Sequence, residues 1–346
     1  MRVAISLGIA NEDFEQAATY VVEAERLGAD IVWSAESWGH DAATPLAFMA
    51  ARTSRIRLGS GIMQVSARTP AMTGMTALTL AAMSGDRFVL GLGASGPQVV
   101  EGWHGQPFGK TPQRLREVIE IVRLVVSGER LQYDGQLYHL PLPGGEGKAI
   151  RSGAKPHPGI PIYLATLSPK SLELTGEFAN GWVGTSFMPE HADVFFDHIR
   201  RGAERAARPF KEIDLQAGGV VAFGDDLEKL IPARKPGLAF TLGAMGSRAH
   251  NFYNAAFQRA GYQEVAREAQ GLWLDGRRED AAKLIPDELV VQTNLLGTEQ
   301  MVKDRMRKYR DAGVTTLRLD PEGKDLKQRL ETLGRAIDLV KQVSAE

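Results

Sequence analysis

The segment Gly91-Leu-Gly-Ala-Ser-Gly96 has the G-x-G-x-x-G spacing of a turn that binds the pyrophosphate of a nicotinamide dinucleotide. Such a turn also needs a helix starting at the third glycine and an acidic residue at the end of a second strand. Here Pro97 and Gly102 interrupt the following segment, and residues 114–122 have a helical pattern instead. These residues argue against a Rossmann dehydrogenase. A phosphate-binding turn and a purely structural tight turn both remain open.

Composition excludes several other chemistries. The chain of 346 residues has no cysteine, which removes disulfides, thiolate nucleophiles and cysteine metal sites. Its seven histidines form no H-x-H or H-E-x-x-H pair, so we expect no metal site, and there is no G-x-S-x-G motif for acyl transfer. Basic and acidic residues nearly cancel, 41 against 42, so nucleic acid is not an expected partner. The expected partner is a small-molecule substrate.

The elements that must position these residues alternate between short apolar strands and amphipathic helices. No apolar run reaches the ~20 residues of a membrane helix, and the amino terminus lacks a signal-peptide pattern, so we expect a cytoplasmic protein. Alternation of this kind predicts a parallel sheet, and eight such units predict one (β/α)8 TIM barrel over residues 1–346. Two insertions, about 129–158 and 236–290, interrupt the series. The predicted strands are residues 3–7, 31–35, 56–62, 88–93, 161–166, 181–185, 213–222 and 314–319.

Five segments carry a resemblance that covers nearly the whole chain: DIVWSAESWGHDAATPL, RIRLGSGIMQVSARTPAMTGMTALTL, DRFVLGLGASGPQVVEGWHG, PIYLATLSPKSLELTGEFANGWV and LGTEQMVKDRMRKYRDAGVTTLRL. In these segments the chain resembles the bacterial-luciferase-like superfamily, in particular its branch that uses coenzyme F420, a deazaflavin. The resemblance implies a (β/α)8 barrel with the cofactor at the carboxyl ends of the strands, and a homodimer. It also implies a cis peptide between Gly61 and Ile62, next to Met63, that backs the deazaflavin ring.

The end of the second strand departs from the pattern of the family. Family members place an acidic residue there that is often followed by histidine, whereas this chain has Glu36 followed by Ser37. The departure puts in doubt a histidine base at this position. The resemblance leaves Glu36 as a candidate partner for the ring edge or a substrate hydroxyl, and helix capping is the alternative. Ser37 belongs to the expected cofactor site, and Trp38 and His40 are expected to line the pocket.

The resemblance assigns roles to the other strand ends as well. His104 is the leading candidate for acid–base chemistry because an imidazole titrates near neutrality, although a structural contact with Trp103 explains it equally. A helix that starts after Ser168, with Pro169 in its first turn, is expected to receive the cofactor phosphate. The expected cofactor-binding residues are Ala94, Ser95, Gly96, Ala165, Thr166, Leu167, Gly184 and Thr185, and the expected substrate pocket adds Trp103, Phe252 and Tyr253.

The resulting interpretation is an F420-dependent oxidoreductase that transfers a hydride between the deazaflavin and an organic substrate. An FMN-dependent luciferase-like monooxygenase on the same barrel is the nearest alternative, since the two cofactors differ mainly at one ring atom. A non-catalytic flavin-binding protein is the alternative from another class. The sequence identifies neither the substrate nor the direction of the reaction.

Overall fold

The computed structural model describes residues 1–8 and 12–346. Within them, eight parallel strands close into a barrel in the order β12-β1-β2-β3-β5-β8-β9-β10, and β10 pairs with β12 to complete the ring. The predicted α/β barrel is therefore confirmed. The barrel strands are β1 (Arg2–Ser6), β2 (Ile31–Ser34), β3 (Arg57–Ser60), β5 (Phe88–Gly93), β8 (Ile162–Ala165), β9 (Gly181–Val183), β10 (Asp214–Phe223) and β12 (Thr316–Pro321).

Four further strands lie outside the ring. Two of them, β4 (Met63–Gln64) and β11 (Leu295–Gly297), were not predicted from the sequence, and they pair in parallel with β5 and β10. Strands this short leave no readable alternation, so periodicity does not detect them. The other two, β6 (Tyr133–Asp134) and β7 (His139–Leu140), pair antiparallel and form a hairpin in the first insertion.

Helices surround the barrel and fill the second insertion. Glycine ends several of them in the left-handed conformation, as Gly85 does after α3 with φ of 63°. No helix among the described residues is both long and apolar enough to cross a bilayer. The helices are α1 (Phe14–Leu27), α2 (Ala43–Ala50), α3 (Pro70–Ser84), α4 (Pro97–Val100), α5 (Thr111–Ser127), α6 (Pro169–Phe178), α7 (Asp193–Arg205), α8 (Leu227–Leu230), α9 (Lys235–Gly243), α10 (Phe252–Arg259), α11 (Gln263–Leu274), α12 (Arg278–Leu284), α13 (Asp287–Thr293), α14 (Glu299–Asp311) and α15 (Leu326–Ala345).

The interior of the barrel is filled beneath its carboxyl end. The indole of Trp33 lies within it and donates from Nε1 to Oε1 of Gln216 at 2.9 Å. Glycines make room for this ring, because a Cβ atom at Gly59 would lie 2.4 Å from it and one at Gly61 would lie 2.9 Å from the Trp33 Cβ. The barrel therefore has a packed floor, and any ligand must bind above Trp33.

Each insertion is fixed to the barrel in its own way. The carboxylate of Glu117 on α5 is fully buried and accepts hydrogen bonds from the backbone N–H groups of Gln136, Leu137 and Tyr138 in the hairpin. Helices α9 to α13 of the second insertion pack around a separate apolar cluster that includes Phe257 and Leu289. A buried charge thus helps to hold the first insertion to α5, and the second insertion has an apolar cluster of its own.

Candidate active site

A cavity of about 520 Å³ opens at the carboxyl ends of the barrel strands. It lies above β2, β3, β5 and β8, and residues of the second insertion close its far side. Ala244, Met245 and Gly246 come from that insertion, whereas no residue of the first insertion, 129–158, is among the described lining residues. Of the two insertions, the second alone contributes described lining residues to this cavity.

The structure brings together fourteen of the residues that the sequence singled out. The lining includes both aromatic residues of α10, the two tryptophans expected at the pocket and the strand-end residues of β3, β5 and β8. These residues are Glu36, Ser37, Trp38, Gly61, Ile62, Ala94, Ser95, Gly96, Trp103, Ala165, Thr166, Leu167, Phe252 and Tyr253. The Gly61–Ile62 peptide is cis, as the resemblance implied.

Four other predicted residues do not line the cavity, and His104, described below, is a fifth. Met63 is buried in the main apolar core, because successive residues of a strand point to opposite faces and Ile62 takes the cavity side. His40 packs edge-on against the ring of Phe14 with centroids 5.2 Å apart. Gly184 donates its N–H to the Gln216 carbonyl at 2.7 Å and so extends the pairing of β9 with β10. The next residue, Thr185, is not a lining residue either.

His104, the expected acid–base residue, also lies outside the lining. The chain turns helically after Gly96, and the N–H of His104 donates to the carbonyl of Val99 at 3.0 Å. Neighbouring residues in a helical turn point roughly 100° apart, so Trp103 faces the cavity and His104 does not. Its Nε2 atom is buried without a hydrogen-bond partner among the described residues. The geometry gives no support to His104 as the group that exchanges a proton with the substrate.

Glu36 is held by a set of donors that the sequence did not reveal. Its carboxylate accepts from Nη1 of Arg68 at 2.6 Å, from the Gln64 N–H at 3.2 Å and from the Ala42 N–H at 3.1 Å. The hydrogen bond to Glu36 is the main cause that raises the pKa of Arg68 above its usual value. Both oxygens of the buried carboxylate are thus engaged, and Glu36 is suited to fix the loops after β2 and β3.

Gln64 is a second site residue that sequence reasoning missed. Its Nε2 donates to the Ser37 carbonyl at 2.8 Å, which fixes the orientation of the amide in the cavity wall. Its Oε1 is buried and accepts no hydrogen bond from the described residues. A buried acceptor without a donor costs free energy unless a ligand or water supplies one. The side chain therefore offers an acceptor to a bound molecule.

The amino-terminal end of α6 lies at the cavity wall. Ser168 and Ser171 both line the cavity, and their hydroxyls are 3.0 Å apart. Ser168 makes no side-chain capping bond to the helix backbone, so the end of the helix keeps N–H groups for a ligand. From α10, Arg259 donates to the Leu167 carbonyl at 2.6 Å and fixes the second insertion next to this helix end.

Aromatic side chains form the outer wall of the cavity. Trp38 is 56% exposed and Trp103 65% exposed, although both line it. Burial raises the pKa of Tyr253, and the nearby Arg318 charge opposes this only in part, so the phenol is neutral at physiological pH. Large exposed apolar surfaces at the edge of a cavity are typical of ligand contact.

A parallel (β/α)8 barrel with a cavity at the carboxyl ends of its strands is the architecture of a barrel enzyme. The chain belongs to the luciferase-like monooxygenase family, which it matches over residues 1–316. It is 41% identical to the Mycobacterium tuberculosis protein named "Putative coenzyme F420-dependent oxidoreductase" over 308 residues, 87% of this chain and 89% of the other. The predicted family is thus confirmed, and the protein is an oxidoreductase.

Two further relatives agree. The 5,10-methylenetetrahydromethanopterin reductase of Archaeoglobus fulgidus is 28% identical over 325 residues, covering 92% of this chain and 93% of the reductase. The solved coenzyme F420-dependent tetrahydromethanopterin reductase of Methanopyrus kandleri superimposes with a TM-score of 0.80 at 25% identity, over 96% of this chain and 97% of that one. Both matches run through the barrel and its insertions.

Proposed function

We propose that this protein is a coenzyme F420-dependent oxidoreductase that transfers a hydride between the deazaflavin and a small organic substrate. The observation that carries the proposal is the cavity above Trp33, which combines a buried acceptor at Gln64 with an uncapped helix end at Ser168. The similarity to F420-dependent enzymes supports the choice of cofactor. When bound, the cofactor would supply the two-electron chemistry.

The lining residues divide between the two ends of such a cofactor. Gln64 Oε1 would accept a hydrogen bond from the polar edge of the ring, with Ser37 holding the amide in place. Gly61 and Ile62 would support the ring. The phosphate would lie by Ser95 and Gly96 on one side and by Ser168 and Ser171 on the other, where backbone N–H groups favour an anion.

Glu36 would hold this arrangement in place. Its contacts with Arg68 and the Gln64 N–H connect the strand ends that flank the ring site. Glu36 is also a lining residue of the cavity, where its carboxylate would accept from a substrate hydroxyl. We also propose that residues 1–346 form one domain, with the helical insertion at 236–290 covering the cavity through Met245, Phe252 and Tyr253.

Separate titrations of the purified protein with F420 and FMN test the proposal. We expect saturable F420 binding and much weaker FMN binding. Tight FMN binding without F420 binding would instead establish the FMN-dependent monooxygenase. If F420 binds but Glu36→Gln changes neither its binding nor the rate at which the bound cofactor is reduced, the non-catalytic flavin-binding protein would be favoured.

We further propose a homodimer formed through α3. This helix of fifteen residues carries no charged side chain, and Met72, Met75 and Met83 on its outer face are each about half exposed. Surface helices normally present charged residues to water, and methionine-rich faces adapt well to a partner surface. A second copy of the same chain would cover this face symmetrically.

A further inference from the structure

No basic side chain is found in the part of the cavity wall that residues 1–8 and 12–346 form. Among the described lining residues there is no lysine, arginine or histidine, and the one carboxylate, Glu36, is paired with Arg68. A charged group that enters such a cavity loses its hydration without gaining a counter-ion. The turn at Ser95 and Gly96 and the uncapped end of α6 offer backbone N–H groups to an anion, and under the proposed function the cofactor phosphate occupies both.

Flat apolar surfaces dominate the remaining part of the wall. Trp38 and Trp103 stand at the mouth, and Phe252 with Met245 faces the cavity from the second insertion. Aromatic faces gain free energy by stacking on flat rings, and a thioether packs well against a ring edge. These residues would gain little from a charged group, which they cannot pair.

One neutral donor stands among these surfaces. Tyr253 lines the cavity, and its hydroxyl makes no hydrogen bond within the described part of the chain. Since burial raises the pKa of Tyr253, the hydroxyl keeps its proton at neutral pH. A protonated phenol at an apolar wall is well suited to donate to an uncharged carbonyl oxygen.

We infer that the substrate is an uncharged, flat and largely apolar molecule with a carbonyl oxygen that accepts a hydrogen bond from Tyr253. This inference deepens the proposed function and rests on it for the place of the cofactor. The same argument disfavours sugar phosphates and free carboxylic acids, since no cationic side chain is among the described lining residues. Arg318, whose charge acts on Tyr253, lies outside that lining and pairs with Asp320.

Isothermal titration calorimetry with three matched probes tests the inference. The probes are 2-acetylnaphthalene, which is neutral, 2-naphthoate, which has the same rings and a negative charge, and glucose 6-phosphate. Each is titrated into the F420-saturated protein and into the cofactor-free protein. We expect the ketone to bind the F420-saturated protein at least about tenfold more tightly than the other two, because burying an unpaired charge costs more than ~1.4 kcal/mol. Equal or tighter binding of 2-naphthoate or glucose 6-phosphate would overturn the inference.

Two pairs of variants locate the contacts. Trp103→Ala should weaken ketone binding about 3- to 10-fold through lost stacking, whereas Trp273→Ala, whose ring packs on Phe240 outside the cavity, should not. Tyr253→Phe should weaken it about fivefold through one lost hydrogen bond. Tyr262→Phe is the control, since that hydroxyl donates to Gln292. Unchanged ketone affinity in Trp103→Ala and Tyr253→Phe would overturn the inference.

The two proposals fail separately. The proposed function fails if F420 does not bind, whatever the probes do. If F420 binds, the inference about the substrate fails when the F420-saturated protein binds the ketone no more tightly than the charged probes. If F420 does not bind, the same comparison is made with the cofactor-free protein, and the same result there overturns the inference.

Discussion

Arg68 Nη1 lies 2.6 Å from Oε1 of Glu36, and both side chains are largely buried beside the cavity. Thirty-two positions of sequence separate the two residues. The pair joins the loop after β2 to the segment after β4, and the same carboxylate also accepts the N–H groups of Ala42 and Gln64. One buried ion pair thus fixes the relative positions of the loops that form one side of the candidate active site.

Replacement of Arg68 by methionine is expected to destabilise the protein by about 3 kcal/mol, because it leaves the buried Glu36 charge without its counter-ion. F420 affinity should fall as well, since this carboxylate holds the backbone N–H of Gln64 at the cavity wall. Urea unfolding and a cofactor titration measure the two effects. The control is Arg52→Met, which breaks an exposed pair with Glu15 and should leave both unchanged. Equal losses in the two variants would contradict the role given to the buried pair.

Two glycines of the G-x-G-x-x-G segment should respond differently to alanine. A Cβ atom at Gly91 would lie 1.9 Å from the Ser60 carbonyl oxygen, so Gly91→Ala forces two strands apart and should cost about 3 kcal/mol or more. A Cβ atom at Gly96 would approach no atom closer than the Gln98 side chain at 3.4 Å. Gly96→Ala should therefore fold normally and bind F420 more weakly, which thermal unfolding and fluorescence titration distinguish. Normal F420 affinity in Gly96→Ala would argue against a cofactor phosphate at this turn.

The stability contributed by Glu117 should depend on pH. Burial alone would raise its pKa, but the hydrogen bonds from Gln113 and three backbone N–H groups outweigh burial and lower it. A carboxyl group whose pKa is lowered by folding stabilises the native state above its unfolded pKa, near 4.5, and this stabilisation is lost as the pH falls through the folded pKa. Glu117→Gln should thus cost about 2 kcal/mol at pH 7 and progressively less in acid.

Urea unfolding at several pH values between 7 and 3 measures this difference. Hydrogen exchange should show that the N–H groups of residues 136–138 lose protection in the variant. Glu129→Gln, at an exposed position in the same region, is the matched control and should follow the wild-type curve. A stability difference between Glu117→Gln and wild type that stays constant across this pH range would show that the charge of Glu117 is not the source of the stabilisation.

A charge on the outer face of α3 should dissociate the proposed dimer. Met75 is 52% exposed there, and Met75→Lys would place a strongly hydrated ammonium group in the interface. Sedimentation velocity should show a dimer for the wild type and a monomer for the variant. Met301→Lys, which places the same charge on the exposed surface of α14, should leave the dimer intact. A wild-type monomer would rule the dimer out directly.

The sequence predicted the barrel well because each barrel strand and each helix carries a local signal. Period-2 and period-3.6 patterns, helix caps such as Thr69 and Asp325, and the glycines after α1 and α3 lie within a few residues of the element they define. The strands β4 and β11 are too short for such a pattern. They form because neighbouring strand ends offer free hydrogen-bonding groups, which is a property of the assembled sheet.

The sequence predicted those residues of the candidate site that lie at the ends of barrel strands. Carboxyl ends of parallel strands meet at one face, so residues such as Ser95, Thr166 and Ile62 could be assigned to the cavity wall from their place in the order of elements. His104 was assigned by its chemical type alone. The structure places its neighbour Trp103 at the cavity instead, because the direction of a side chain depends on the turn that carries it.

What the sequence alone determined is the alternation of strands and helices, the family, and the positions where strands end. What only the tertiary structure decided is which side chains meet across distant parts of the chain. Arg68 reaches Glu36, Gln64 is left with a free acceptor, and Arg259 of the second insertion reaches Leu167. Local patterns arise from the hydrogen-bond geometry of single elements, whereas these contacts depend on the closure of the barrel, which no short segment encodes.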